Sequence, residues 1–110
     1  MTEEQLQSSC VQWFWNNYPE QRKMLFHVDN NSWNSVIGSR KKALGVVSGP
    51  SDLILILRCR VVFIEMKIPG GVQSDNQKDF EKKVNDRSHQ YIIIYSLQEF
   101  KNLICQVIGE

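Results

Sequence analysis

Two acidic residues and a lysine lie near one another in the middle of the sequence, where most neighbouring residues are apolar. Glu65 and Lys67 are two residues apart in the segment 61–67, and Asp52 directly precedes the apolar run 53–57. Side chains alternate between the two faces of a strand, so Glu65 and Lys67 are expected on the same face. Charges within an apolar strand are costly unless they are paired or bind a ligand. The segment therefore indicates a functional site.

The chemistry of this group depends on how the two apolar runs pair. Arg58-Cys59-Arg60 separates them, which predicts an antiparallel hairpin at the centre of a sheet, and that pairing brings Asp52 next to Glu65. Two converging carboxylates suit Mg²⁺ or Mn²⁺. A lysine beside them can orient a water molecule and offset negative charge that develops on a phosphate. The pattern predicts the equipment for phosphodiester hydrolysis. A Glu65–Lys67 ion pair, with Asp52 capping the turn, explains the same spacing.

Turn residues and hydrophobic spacing predict the elements that hold these side chains. An apolar stripe at helical spacing indicates a first helix with Thr2 at its N-cap, and it is formed by Leu6, Cys10, Trp13 and Phe14. The predicted order is helix 2–17, strand 24–28, short helix 33–44, strands 53–57 and 61–67, helix 74–85, strand 91–95 and a final helix capped by Ser96. The run 53–57 is apolar throughout, so both of its faces are expected to be covered. This order is typical of one α/β domain, residues 1–110, with a mixed central sheet flanked by helices.

Length and composition fit a single globular domain and exclude several classes of protein. The chain has 110 residues and a net charge of +1, and it contains no apolar run of the roughly 20 residues that a membrane helix needs. Its first residues lack the basic-then-apolar layout of a signal peptide, so a cytoplasmic protein is expected. Cys10, Cys59 and Cys105 are far apart, which argues against a disulfide framework or a structural zinc site.

Three parts of the sequence together resemble a known nuclease family. They are the loop and strand Gly45-Val46-Val47-Ser48-Gly49-Pro50-Ser51-Asp52-Leu53-Ile54-Leu55, the strand Phe63-Ile64-Glu65-Met66-Lys67 and the helix start Ser74-Asp75-Asn76-Gln77. The combination resembles the virus-type replication-repair nuclease family, VRR-NUC, of the PD-(D/E)XK nuclease superfamily, and the resemblance covers essentially the whole chain. Glu3 and Gln7 match a glutamate and a glutamine on the leading helix of that family. In one departure from the family pattern, Ser51 separates the proline from Asp52.

The resemblance implies a PD-(D/E)XK nuclease fold and a role for each matching residue. Asp52 and Glu65 would bind the catalytic Mg²⁺ or Mn²⁺, and the backbone carbonyl of Met66 would be a further ligand. Glu3 would complete or support this ligand shell. Lys67 would position the attacking water.

Two of the implied assignments have alternatives. Glu3 and Glu4 are adjacent, and the inward stripe of the first helix, extended back by one turn, favours Glu3. Gln77 would contact a water at the metal or the scissile phosphate. It is also correctly placed to be the N-cap partner of Ser74.

Basic residues and chain length bear on the DNA partner. Arg40, Lys41 and Lys42 form one basic group and are expected, together with Lys78, to contact phosphates. A second group fits a solvated helix face equally well, because acids are interspersed in it; its members are Lys78, Lys82, Lys83 and Arg87. Free-standing members of the family resemble Holliday-junction resolvases, which implies a homodimer that cuts four-way junctions, in a bacterial host if the protein is phage-encoded. The alternatives are a flap or duplex nuclease without junction selectivity and a DNA-binding module without activity.

Overall fold

The elements of the protein follow the predicted order. The computed structural model describes residues 1–28, 35–45 and 51–109. The helices are α1 (Glu3–Asn17), α2 (Ser35–Ala43), α3 (Asp75–Asp86) and α4 (Leu97–Val107), and the strands are β1 (Leu25–His27), β2 (Leu53–Ile56), β3 (Val61–Met66) and β4 (Gln90–Ile94). Residues 29–34 and 46–50, which hold Trp33 and much of the predicted motif loop, lie outside the described residues.

The four strands form one mixed sheet in the order β1-β2-β3-β4. Strand β2 pairs antiparallel with both β1 and β3, whereas β4 runs parallel to β3. The predicted hairpin at the centre of the sheet is thus present, and the α/β class with a mixed sheet is confirmed. Leu53 is opposite Ile64 in the antiparallel register of β2 and β3. Continuing this register by one residue places Asp52 opposite Glu65.

The hydrophobic core lies on the face of the sheet that packs against α1 and α4. The predicted stripe of α1 faces it, with Leu6, Cys10 and Phe14 buried and Trp13 partly buried. From the sheet and α4 the core receives Leu25, Leu53, Leu55, Val62, Ile64, Met66, Ile94, Phe100, Leu103, Ile104 and Val107. Burying each large side chain of this kind contributes about 1.5–3 kcal/mol, which anchors α1 and both central strands.

The other face of the sheet is covered unevenly. Helix α3 packs on its β3–β4 half through Phe80, whose ring meets Phe63 and Tyr91 edge to face. On the β1–β2 half, Phe26 is 38% exposed and Ile56 is 41% exposed. The expectation that both faces of β2 are covered was therefore wrong for Ile56, because an all-apolar run does not by itself reveal how far a covering helix reaches.

Side-chain caps fix where three helices begin. Thr2 with Gln5, and Ser74 with Gln77, form complete capping boxes at α1 and α3. At α4 the Ser96 hydroxyl accepts a bond from the Glu99 amide, but the Glu99 carboxylate accepts from the Tyr95 amide instead of returning to Ser96. A 3-10 helix, Pro19–Met24, follows α1 and was not predicted. No helix in the described ranges has both the length and the apolar character that a membrane span requires.

Candidate active site

Asp52 is held against the end of β3 by the backbone. Its Oδ2 accepts a hydrogen bond of 2.7 Å from the Met66 amide, and its own carbonyl oxygen lies 2.7 Å from Nδ1 of His27. Ser51, which interrupts the expected Pro-Asp pair, is buried and donates its hydroxyl to the Leu53 carbonyl at 2.8 Å. The extra serine is therefore accommodated by a local hydrogen bond to the backbone, and Asp52 still reaches the end of β3.

Glu65 is a buried carboxylate with one bonded and one unbonded oxygen. Its side chain is 1% exposed, and Oε1 accepts a hydrogen bond of 2.5 Å from the Tyr91 hydroxyl. Oε2 has no hydrogen-bond partner within the described part of the chain and lies 3.9 Å from Nζ of Lys67. Buried polar atoms are nearly always hydrogen-bonded, so this oxygen indicates a place where a ligand belongs.

The charges around Glu65 are unbalanced. Burial raises the pKa of Glu65, the Tyr91 hydrogen bond and the Lys67 charge oppose that rise, and the charges of Asp52 and Glu3 add to it. The negative charges of Asp52 and Glu3 thus add to that of Glu65 itself, and the positive charge of Lys67 opposes them. Glu3 is half-buried and its charge acts on Glu65, whereas Glu4 is exposed; the choice of Glu3 as the acid of the site stays a prediction.

Lys67 is held in place by a tight turn. Its side chain is 13% exposed. The Gly71 amide donates to the Ile68 carbonyl at 2.9 Å, and Gly70 has a φ of +89°, as a type II turn with proline before glycine requires. A Cβ on Gly71 would lie 3.2 Å from Cδ of Lys67 and 3.1 Å from the Ile68 oxygen. The absence of a side chain at Gly71 thus leaves room for the stem of Lys67.

The donors at this site fit a hard divalent cation of the kind expected, Mg²⁺ or Mn²⁺. Asp52 and Glu65 offer carboxylate oxygens, and Oε2 of Glu65 accepts no hydrogen bond from the residues that the structure describes. The Met66 amide points to Asp52, and the carbonyl of a strand residue points to the same side as its amide, which directs the Met66 carbonyl toward Asp52. No three His, Cys, Asp or Glu side chains in the described ranges are close enough to hold a metal ion. Glu3 is thus at electrostatic range and does not complete a carboxylate triad; its part as a ligand stays a prediction.

Comparison with known proteins bears on the fold. No family model matches the chain, and no curated protein matches it in sequence. Among solved structures it is similar to one described as a VRR_NUC domain protein, with a TM-score of 0.83 and 18% sequence identity over 99% of this chain and 89% of that chain. The chain has the VRR_NUC fold. The resemblance seen in the sequence is thereby confirmed at the level of the fold.

Within this VRR_NUC fold, Gln77 already has a structural partner. Its Oε1 accepts the Ser74 amide at 2.9 Å, and the Ser74 hydroxyl accepts the Gln77 amide at 3.2 Å. The capping alternative is therefore observed. A contact of Gln77 with a phosphate stays a prediction, as does its part in catalysis.

The predicted DNA-contacting residues lie on two helices. Arg40 and Lys42 are exposed on α2, Lys41 is half-buried there, and Lys78 is exposed on α3. Also on α3, the Lys83 ammonium pairs with Asp79 at 3.0 Å, which favours the solvated-face interpretation for that part of the second basic group. Phosphate contacts by the other four residues stay predictions.

Sequence reasoning missed Tyr91, whose hydroxyl is hydrogen-bonded to Glu65. Tyr91 is 5% exposed, and its pKa is raised by burial and by its bond to Glu65, so the hydroxyl stays a donor. It was interpreted as the first residue of an apolar strand. The available signal was a hydroxyl inside that strand, but the parallel pairing of β4 with β3 was needed to place it beside Glu65.

Proposed function

We propose that the chain is a divalent-metal-dependent DNA endonuclease that hydrolyses phosphodiester bonds. The observation that carries the proposal is the buried Oε2 of Glu65, which accepts no hydrogen bond from the described part of the chain and lies 3.9 Å from the Lys67 ammonium, at the strand end that also holds Asp52. A carboxylate pair with a neighbouring lysine is suited to placing a cation and a phosphate together.

Each of the three residues has a distinct task in this proposal. Asp52 and Glu65, with the Met66 carbonyl, would hold Mg²⁺ or Mn²⁺, which supplies charge stabilisation at the phosphate when bound. Lys67 orients the attacking water through its ammonium group and stabilises negative charge on the phosphate oxygens. The water oxygen bonds to phosphorus and loses a proton to solvent while one ester P–O bond breaks, and the leaving oxygen takes up a proton, so the products are a phosphate monoester and a hydroxyl group.

The proposed substrate is branched DNA, cut by a homodimer in the cytoplasm. A four-way junction presents two strands of like polarity, and a chain with a single site needs a second copy to cut both. A two-fold axis relates the sites in such a dimer as it relates the strands of the junction. Arg40, Lys41, Lys42 and Lys78 would contact phosphates, so affinity should fall steeply with salt.

The test is cleavage of a synthetic four-way junction and of a linear duplex of matched sequence. We expect cutting of the junction with Mg²⁺ or Mn²⁺, binding without cutting in Ca²⁺, and no cutting with excess chelator. Asp52→Ala, Glu65→Ala and Lys67→Ala should each reduce the rate at least a hundredfold while the far-ultraviolet circular dichroism stays unchanged.

Two outcomes would separate the parts of this proposal. Full activity in excess chelator would remove the metal, and near-normal cutting by one alanine variant would remove that residue from its role. Equal cutting of junction and duplex by a monomer would replace the resolvase with a nuclease that lacks junction selectivity. Binding of DNA without cutting under every condition would leave a DNA-binding module.

A further inference from the structure

A cleft opens next to Asp52, on the side of α1 and β1. Its volume is about 570 Å³, within the range of roughly 300–1,000 Å³ that is typical of small-molecule sites. Asp52 forms part of its lining, together with residues of α1 and with Phe26 and His27 of β1. Because Asp52 belongs both to the cleft and to the candidate active site, an occupant of the cleft would lie beside a phosphate bound there.

The α1 side of the cleft is a second helical stripe beside the fully buried one, and its Val11 and Trp15 also pack against the edge of the core. Gln7, Val11 and Trp15 recur at intervals of four residues and line the cleft, which is the spacing of one helix face. Phe26 faces the cleft from β1 and is 38% exposed. The cleft thus has apolar surface at Val11, Trp15 and Phe26, and because Arg22 lies over the Trp15 ring, Phe26 is the aromatic side chain that a base can contact.

The polar part of the lining suits the edge of a nucleobase. Gln7 and Gln12 carry amides, which both donate and accept hydrogen bonds, and Ser8 carries a hydroxyl. Glutamine and acidic side chains are the groups that proteins use to contact base amino groups. Glu4 adds such a carboxylate to the lining.

The charge of the cleft argues against a phosphate as its occupant. Its charged lining residues in the described ranges are the carboxylates of Glu4 and Asp52, and neither lysine nor arginine lines it. Arg22 stacks over the Trp15 ring at 4.2 Å but does not line the cleft. Like charges repel, so the occupant must be an uncharged part of the nucleic acid.

We propose that this cleft binds an unpaired base of the nucleotide next to the scissile phosphate. The proposal rests on the nuclease function proposed above, and it names the feature of the substrate that the cleft recognises: a base that is not in a duplex. Aromatic side chains stack on single-stranded bases in this way in other binding sites. Unpaired or easily unpaired bases occur at branch points, so the cleft would favour branched over fully paired DNA.

The experiment is a titration followed by nuclear magnetic resonance in the presence of chelator. The probe is a hexanucleotide of deoxycytidine, and its control is an abasic hexamer with the same phosphates. We expect the hexanucleotide to shift the side-chain amide signals of Gln7 and Gln12 and the indole signal of Trp15, and the abasic hexamer to leave them in place. Equal shifts with both probes, or none with either, would overturn the proposal.

Variants test whether the cleft itself is the site. Ser8→Trp places a large side chain in the cleft from an exposed position, and Asn16→Trp places the same side chain on an exposed part of α1 that does not line the cleft. We expect Ser8→Trp to weaken hexanucleotide binding at least tenfold and Asn16→Trp to leave it unchanged. Gln12→Ala, which removes an exposed amide, should weaken binding threefold or more without a change in melting temperature. Equal affinities in all variants would contradict the proposal.

The cleft and the nuclease function can fail separately. If the wild-type chain cuts DNA with Mg²⁺ and the hexanucleotide leaves the cleft signals unchanged, the base site is wrong and the nuclease stands. If the cleft signals respond to the bases and no DNA is cut under any condition, the base site stands and the nuclease is wrong.

Discussion

Glu65 is expected to lower the free energy of unfolding of the metal-free protein. It is almost fully buried, one of its oxygens has no hydrogen bond within residues 1–28, 35–45 and 51–109, and two further carboxylates act on it. Groups of this kind are retained at functional sites at the expense of stability. A charge that is unfavourable without a ligand is one that a divalent cation would stabilise.

Replacing Glu65 with glutamine should therefore stabilise the metal-free fold above neutral pH. Glutamine keeps the acceptor for Tyr91 and removes the buried charge. We expect Glu65→Gln to gain on the order of 1 kcal/mol at pH 8, seen as a melting temperature a few degrees higher in excess chelator. The same variant should not cut DNA.

The pH dependence of that gain has a definite sign. The pKa of Glu65 is raised in the folded state from the usual 4.5, so the unfolded chain loses its proton at lower pH than the folded one. Wild-type stability therefore falls as the pH rises from 4.5 through the raised value, and the advantage of glutamine grows over that interval and vanishes below it. Glu20→Gln, at an exposed position, is the control. An equal gain in both variants, or a gain at pH 4, would contradict this account.

Tyr91 is expected to orient Glu65 for metal binding. Tyr91→Phe removes the 2.5 Å hydrogen bond to Oε1 and leaves a second buried oxygen without a partner. We expect a loss of about 1–3 kcal/mol of stability and at least tenfold weaker binding of Mn²⁺ by calorimetry. Tyr95→Phe makes the same change at a tyrosine that is 42% exposed. Equal Mn²⁺ affinities of the two variants would show that Tyr91 does not position the carboxylate.

At the scale of elements, the start of α3 separates two roles for Gln77. Both Ser74 and Gln77 take part in the capping box, but the predicted phosphate contact belongs to Gln77 alone. Ser74→Ala should cost about 1 kcal/mol of stability and leave the cleavage rate within twofold. Gln77→Ala should lose less stability and reduce cleavage at least tenfold. Matching losses of stability, with normal cleavage in both variants, would assign Gln77 to the cap and nothing more.

Most elements could be predicted because local signals mark them. Hydrophobic periodicity marks α1, the short polar segment Arg58-Cys59-Arg60 marks the hairpin, and the capping residue Ser74 marks α3. Each of these signals acts over a few residues. The 3-10 helix at Pro19 could not be predicted, since a proline that ends one helix is equally favoured at the start of the next. The exposure of Ile56 depends on the reach of α3, which is a tertiary property.

The same division holds for the site. Asp52, Glu65 and Lys67 were placed together from the sequence because a short hairpin fixes which strand ends meet. Tyr91 reaches Glu65 through a parallel pairing across a helix, which no local pattern encodes. The space that Gly71 leaves for Lys67 depends on the geometry of the turn at Pro69 and Gly70, which the sequence does not specify.

At the scale of the whole molecule, the sheet has a partly exposed apolar surface. It consists of Phe26 on β1 and Ile54 and Ile56 on β2, which share the face opposite the core. Trp15 and Tyr18 pack against the core and are partly buried, which leaves little of their rings for a subunit interface. If the protein is a homodimer, the Ile54 and Ile56 part of this surface is the better candidate, because apolar residues are enriched in the core of such interfaces and Phe26 also lines the cleft.

The final prediction concerns that assembly. Light scattering at micromolar concentration should give the mass of two chains, and Ile56→Lys should give the mass of one, because a buried lysine without a partner is unfavourable at an apolar interface. Val72→Lys adds the same charge at a residue that is 76% exposed and should remain dimeric. Monomeric Ile56→Lys should lose paired cuts in a four-way junction and make single nicks instead, since each chain keeps its own Asp52, Glu65 and Lys67. A wild-type monomer that makes paired cuts would contradict the two-fold arrangement and leave the chemistry of the single site intact.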